Sequence, residues 1–176
     1  MSPTNSSTAD TRDHHDIPNP QVLDAADQFR NGFQLLAQQP PGSGVLLPAL
    51  QCGAIAIELY LKSLSARAQE VPDTSMPGLV AVYAGMERPS HLFGELFDQA
   101  PADAKADIER RVTASSQLQR FAGARLVLEA AGPLFVASRY PFEAGRRIDE
   151  FGWMAFKELV VLIGDAVHAL PPRLVT

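Results

Sequence analysis

Ala54-Ile55-Ala56-Ile57-Glu58-Leu59-Tyr60-Leu61-Lys62-Ser63-Leu64 is the stretch whose reading decides the fold. Around it Leu50, Ala54, Ile57, Leu61, Leu64 and Ala68 recur at alternating spacings of four and three, the seam of a helix packed inside a bundle. The neighbouring row reads Gln51, Ile55, Glu58, Lys62 and Ser65. The pattern predicts a helix from about Val45 to Gln69 with a charged pair on its flank. Glu58 stands four residues before Lys62, the favourable order for a helical ion pair, worth about 0.2–0.5 kcal/mol when exposed. On so apolar a helix the pair is expected to be partly buried, and buried charges need partners.

Working outward, Val22, Ala25, Phe29, Phe33 and Leu36 predict a first helix from Pro20 to about Gln39, with Asn19 as its cap and Pro20 in the first turn. Pro40-Pro41-Gly42-Ser43-Gly44 stops it. No Lys-Ser/Thr pair follows that glycine run at the spacing of a phosphate loop. Residues 70–89 are loop-like, and Leu79 to Tyr83 suit either a short strand or an extra helical turn. A short helix follows from His91 to about Gln99, with Ser90 as cap and Leu92, Phe93, Leu96 and Phe97 facing the core. Further helical pattern runs from Pro101 to about Ser116 and from Leu118 to about Ala130, where Gly132-Pro133 interrupts it. Phe135 to Tyr140 add another turn or two, ended by Pro141. A last helix is predicted from about Arg147 to Leu170. Ile148, Phe151, Ala155, Leu159, Leu162 and Ala166 form one of its stripes, and Trp153, Phe156, Val160, Ile163 and Val167 a second. So broad an apolar surface belongs at the centre of a bundle or in a dimer interface.

The chain of 176 residues suits one domain, with 46% apolar and 20% charged residues, and can bury a core without staples. The expected organisation is all-α: a single up-and-down bundle of about five helices over 19–172, with a short extra element in 70–89. Residues 1–18 are expected to be a disordered tail, and 173–176 a C-terminal tail. Asp13-His14-His15-Asp16 offer a metal only an adventitious site, because a floppy segment has no preset geometry. The single cysteine, Cys52, excludes an internal disulfide and fits a reducing compartment. Met1 to Pro20 lack the apolar core of a secretory signal, and Val45 to Leu61 is interrupted by Pro48, Gln51 and Glu58, short of the roughly 20 apolar residues of a membrane span. A soluble, cytoplasmic protein without membrane contact is expected. The net charge of −5 argues against coating nucleic acid through overall charge. No zinc, dinucleotide or serine-hydrolase motif is present, and no metal or cofactor is expected.

Three segments in order carry a family resemblance. They are the Glu58-to-Lys62 helix, Ser90-His91-Leu92-Phe93-Gly94-Glu95-Leu96-Phe97 after the loop, and Ser138-Arg139-Tyr140-Pro141-Phe142-Glu143 late in the chain. Together, over about residues 20 to 170, they resemble HEPN-like proteins. Those often show an E-x-x-x-K helix, a His-Leu start to a short Leu/Phe-rich helix, and an Arg-Tyr-x-x-Glu segment before the last helix. The resemblance implies a four- or five-helix bundle, often a homodimer, in a bacterial stress, toxin–antitoxin or defence setting, associated with RNA, a nucleotide or a protein partner. Nuclease members carry an Arg followed four to six residues later by a His. Here Arg88 precedes His91 by three, and Arg139, Arg146 and Arg147 have no such His. Nuclease activity does not carry over, and a non-catalytic role is expected.

The resemblance groups Glu58, Lys62, His91, Arg139, Tyr140 and Glu143 as one polar network. It is either a brace between segments or a ligand site. In the second case His91 is the candidate acid–base, since histidine titrates near neutrality, and Arg139 offers an oxyanion its planar fork. That arrangement makes a small enzyme on an anionic substrate the alternative function; a purely structural, antitoxin-like adaptor is the other. From Arg110 to Arg147 the chain carries Arg110, Arg111, Arg120, Arg125, Arg139, Arg146 and Arg147 against only Glu129 and Glu143. Clustered arginines suit phosphate contacts, or else form a solvated face balanced by acids elsewhere.

Overall fold

In the computed structural model the described residues are 15–72, 80–140 and 151–175. They form an all-α bundle of six helices with two small antiparallel strand pairs. In chain order these are β1 (His15–Ile17), α1 (Pro20–Ala37), α2 (Leu46–Ser63), β2 (Arg67–Pro72), β3 (Val80–Gly85), α3 (Phe93–Gln99), α4 (Ala102–Ala114), α5 (Ala124–Ala137), α6 (Trp153–His168) and β4 (Arg173–Val175).

α2 is the centre. It packs against α1, α6, α5 and α3, and Leu50, Ala54, Ile57, Leu61 and Leu64 are all buried along the predicted seam. Gly53 lets two aromatic rings reach this helix: a Cβ there would stand 2.7 Å from Phe156 and 3.0 Å from Phe33. Those rings meet edge-on at 5.8 Å, and Trp153 adds a third ring at 5.8 Å from Phe33. α1 starts as expected, with the Asn19 side chain accepting from the backbone N–H groups of Gln21 (3.2 Å) and Val22 (3.3 Å). Within α6 both apolar stripes face the chain's own core; Met154, Glu158, Val161, Asp165 and His168 are its exposed row. The breadth of that helix is therefore consumed inside the bundle.

Several expectations change. α2 ends at Ser63, short of Gln69, because the Ser63 carbonyl accepts from Asn19 N–H at 2.7 Å and is lost to any further helical turn. The chain then enters β2, which pairs with β3 in the register Arg67↔Gly85 through Pro72↔Val80. The undecided segment near 79–83 is thus strand. At the two ends, residues expected as tails pair as β1 and β4, His15↔Val175 to Ile17↔Arg173. Burial of Ile17 and an Arg173–Asp103 ion pair at 2.7 Å hold that pair. Leu92 is exposed and precedes α3, while Phe93, Leu96 and Phe97 are buried. α5 begins only at Ala124, and it runs through Gly132-Pro133 instead of stopping there. Val127, Leu128, Ala131 and Leu134 are buried on both sides of the proline, so packing outweighs the lost hydrogen bond, roughly 3 kcal/mol by propensity. α6 begins at Trp153 after Gly152; Ile148 and the rest of 141–150 lie outside the described residues, and Phe151 is buried ahead of the helix. Among the described residues no helix is long and apolar enough to cross a membrane.

Candidate functional site

Glu58 lies on the flank of α2 with its side chain almost wholly covered, 8% exposed. An isolated carboxylate there would be costly. Its Oε1 accepts from Lys62 Nζ at 2.7 Å and contacts His91 Nδ1 at 2.8 Å. A carboxylate oxygen only accepts, so the pair fixes the proton of a neutral His91 on Nδ1 and turns Nε2 outward. His91 is 75% exposed. Its position follows from the β2–β3 hairpin behind it and from α3 in front, where Phe93 and Leu96 are buried. Ser90 secures the junction: its hydroxyl accepts from Leu92 N–H (3.0 Å) and donates to Glu95 (2.7 Å). The result is a buried carboxylate holding two surface nitrogen donors, a geometry open to anion binding or to proton transfer.

Arg139 is held elsewhere on the same flank, about two helical turns before Glu58, near Gln51. With the Gln51 amide oxygen facing it, Arg139 donates from Nε at 3.1 Å and from Nη2 at 3.3 Å. Its guanidinium lies 4.1 Å from the centre of the Phe135 ring. Tyr140 follows it at the surface. Glu143, Arg146 and Arg147 lie outside the described residues. The structure thus brings together Glu58, Lys62 and His91, and places Arg139 on the same row of α2 through Gln51.

Arg110, Arg111, Arg120 and Arg125, the other described arginines of the run, are engaged by the fold. Asp107 accepts from both Arg110 and Arg111. Arg120 donates to the Phe151 carbonyl and lies over the Phe121 ring. Arg125 donates to both oxygens of Asp98, each at 3.1 Å, and to Glu129 at 2.5 Å. Burial pushes the Asp107 carboxyl up, but its bonds from Arg111 and Arg110 outweigh this and hold it below the ordinary carboxylate range.

A second polar cluster lies on the other side of α2. Asp27 Oδ1 accepts from Tyr60 Oη at 2.6 Å and contacts His168 Nε2 at 2.7 Å. Arg30 donates to Asp165 at 2.6 Å and lies close to Tyr60 beside Gly164. Burial, then the bond to Asp27, push the Tyr60 phenol well above its usual range, with Arg30 working against them. Burial draws the Arg30 pKa down, but its bond to Asp165 and the nearness of Tyr60 more than restore it. Gly164 makes the approach possible, since a Cβ there would lie 2.7 Å from Arg30 Nη1 and 3.0 Å from Tyr60. The sequence signal for this cluster was Tyr60 itself: a tyrosine on the core face of a helix needs a partner for its hydroxyl. Its partners come from α1 and α6, and no spacing rule joins them.

Comparison of the chain with models of known protein families, with curated proteins and with solved structures finds no match. The fold and site define an all-α helical-bundle protein that carries a carboxylate-held histidine at its surface.

Proposed function

We propose that this is a HEPN-like, cytoplasmic and dimeric module that binds RNA or a nucleotide without cleaving it, in a bacterial stress, toxin–antitoxin or defence setting. The observation that carries the reading is Glu58 Oε1 accepting from both Lys62 and His91. The ammonium of Lys62 has further N–H donors that suit phosphate oxygens, and His91 adds an Nε2–H donor only in its doubly protonated form. The three ordered motifs support the family assignment. The arginines engaged by Asp98, Asp107 and Glu129 add little free charge, which concentrates the phosphate contacts at the Glu58 end. A fluorescence anisotropy titration with tRNA and with mixed single-stranded RNA tests it. Binding that weakens in Lys62→Ala and His91→Ala, and with added salt, is expected. No binding in about 50 mM salt sinks the reading, because phosphate contacts are strongest there.

The 2.8 Å His91–Glu58 contact favours a second reading, a small enzyme on an anionic substrate with Glu58 orienting His91 as acid–base. Incubation with labelled RNA separates the two. Cleavage abolished in His91→Ala establishes the enzyme; no cleavage, or cleavage indifferent to that substitution, removes it.

A further inference from the structure

We propose that Arg139 is a preorganised receptor for an oxyanion, a phosphate or carboxylate group, with Gln51 as its positioning residue. The inference stands apart from the Glu58 end and does not require RNA.

The argument begins with hydrogen-bond direction. The Gln51 amide oxygen accepts from Nε and Nη2 of Arg139, at 3.1 and 3.3 Å. The Gln51 nitrogen donates to Ser138 Oγ at 3.1 Å. Ser138 Oγ in turn donates to the Phe135 carbonyl at 3.2 Å. Every link of this relay runs one way, so each group is satisfied only in this arrangement. Ser138 is 6% exposed, which fixes the far end of the relay inside the bundle.

A guanidinium carries five N–H donors in a rigid plane. Gln51 takes the two on the Nε side. Three remain, and two of these form the parallel end-on fork of Nη1 and Nη2 that fits two oxygens of a carboxylate or phosphate. Phe135 covers one face of the plane at 4.1 Å, which removes water from that side and restricts rotation. The clamp is neutral. Among the described residues Arg139 has no carboxylate partner, whereas Arg110, Arg111 and Arg125 each do. The fold orients the Arg139 fork with an amide, a hydroxyl and a ring, none of which carries a charge. An oxyanion meets that fork without the cost of ordering a long side chain.

The test is an NMR titration of the full chain with sodium phosphate, and in parallel with sodium acetate, at constant ionic strength, following the Arg139 Nε–H resonance. Saturable shifts are expected, and the tighter arm identifies the group. Arg139→Lys keeps the charge but loses the fork, and should weaken binding at least about tenfold. Gln51→Glu keeps the clamp but cancels the charge, and should abolish binding while the fold, followed by thermal unfolding, is retained. Gln51→Ala should give an intermediate loss. RNA binding is measured on the same samples: saturable Arg139 shifts without RNA binding overturn only the Glu58 reading, and RNA binding without Arg139 shifts overturns only this one. Absence of saturation in both arms, or equal affinity in Gln51→Glu and the parent chain, overturns the proposal.

Discussion

Glu58 shows how one side chain can join two kinds of information. Its place beside Lys62 is local, set by helix spacing, and the ion pair at 2.7 Å was legible in the sequence. Its contact with His91 spans 33 residues and depends on the hairpin and α3. Glu58→Ala should therefore release both Lys62 and His91, at a cost of about 1–3 kcal/mol in a urea titration. His91→Ala should cost little, because that ring is exposed. Gly164 is a residue-scale feature of another kind. Gly164→Ala places a methyl against Arg30 and Tyr60 and should destabilise the chain by about 1–3 kcal/mol, read from the urea midpoint. The Tyr60 ring is wholly buried, so it has nowhere to move.

At the scale of elements, α5 gives the sharpest prediction. Pro133 is exposed within an otherwise buried helical pattern. Pro133→Ala restores a backbone donor in the helix and removes the ring clash, so it should raise stability by about 1–3 kcal/mol, measured by denaturant unfolding. A loss of stability on that substitution would mean that the backbone restriction of the proline contributes more than the hydrogen bond it forgoes. The same helix explains an expectation that failed: a Gly-Pro pair is a strong breaker locally, but the buried positions on either side of it continue at helical spacing. α2 is the reverse case. Its apolar row continued to Ala68 in the sequence, yet the helix stops at Ser63, where Asn19 from another part of the chain takes the carbonyl. Gln51 was visible only as a polar member of that row, and its role appeared with Ser138 and Arg139 from α5 and its end.

For the molecule as a whole, acid is a direct probe of how the ends and α4 are held. Hydrogen bonds from Arg173 hold the Asp103 carboxyl below its ordinary range, and Asp107 is also held low by its arginines. The unfolded chain therefore takes up protons first. The stability from these pairs is complete above the unfolded value of about 3.9 and is lost as pH falls through the lower folded values. Urea midpoints should fall below about pH 4 in the parent chain, and fall less steeply in Asp103→Asn/Asp107→Asn. A parallel pH dependence in that variant would rule out these pairs as the source. Light scattering after size exclusion tests the proposed dimer, and a monomeric mass across micromolar concentrations would remove it. If it is a dimer, α6 is poorly suited to form it alone, since its exposed row mixes Met154 and Val161 with Glu158, Asp165 and His168.

The sequence alone determined the helical class, the buried seam through Leu50, Ile57 and Leu64, the Asn19 cap and the Glu58–Lys62 pair, because these depend on periods of three and four along one helix. Only the tertiary structure decided where α2 ends, that the two chain ends pair, that Arg139 meets Gln51, and that Tyr60 gathers Asp27 and Arg30 beneath α6. Those outcomes rest on hydrogen bonds between segments far apart in the chain. Such bonds leave no period in the sequence, and they form only when packing brings the two groups together.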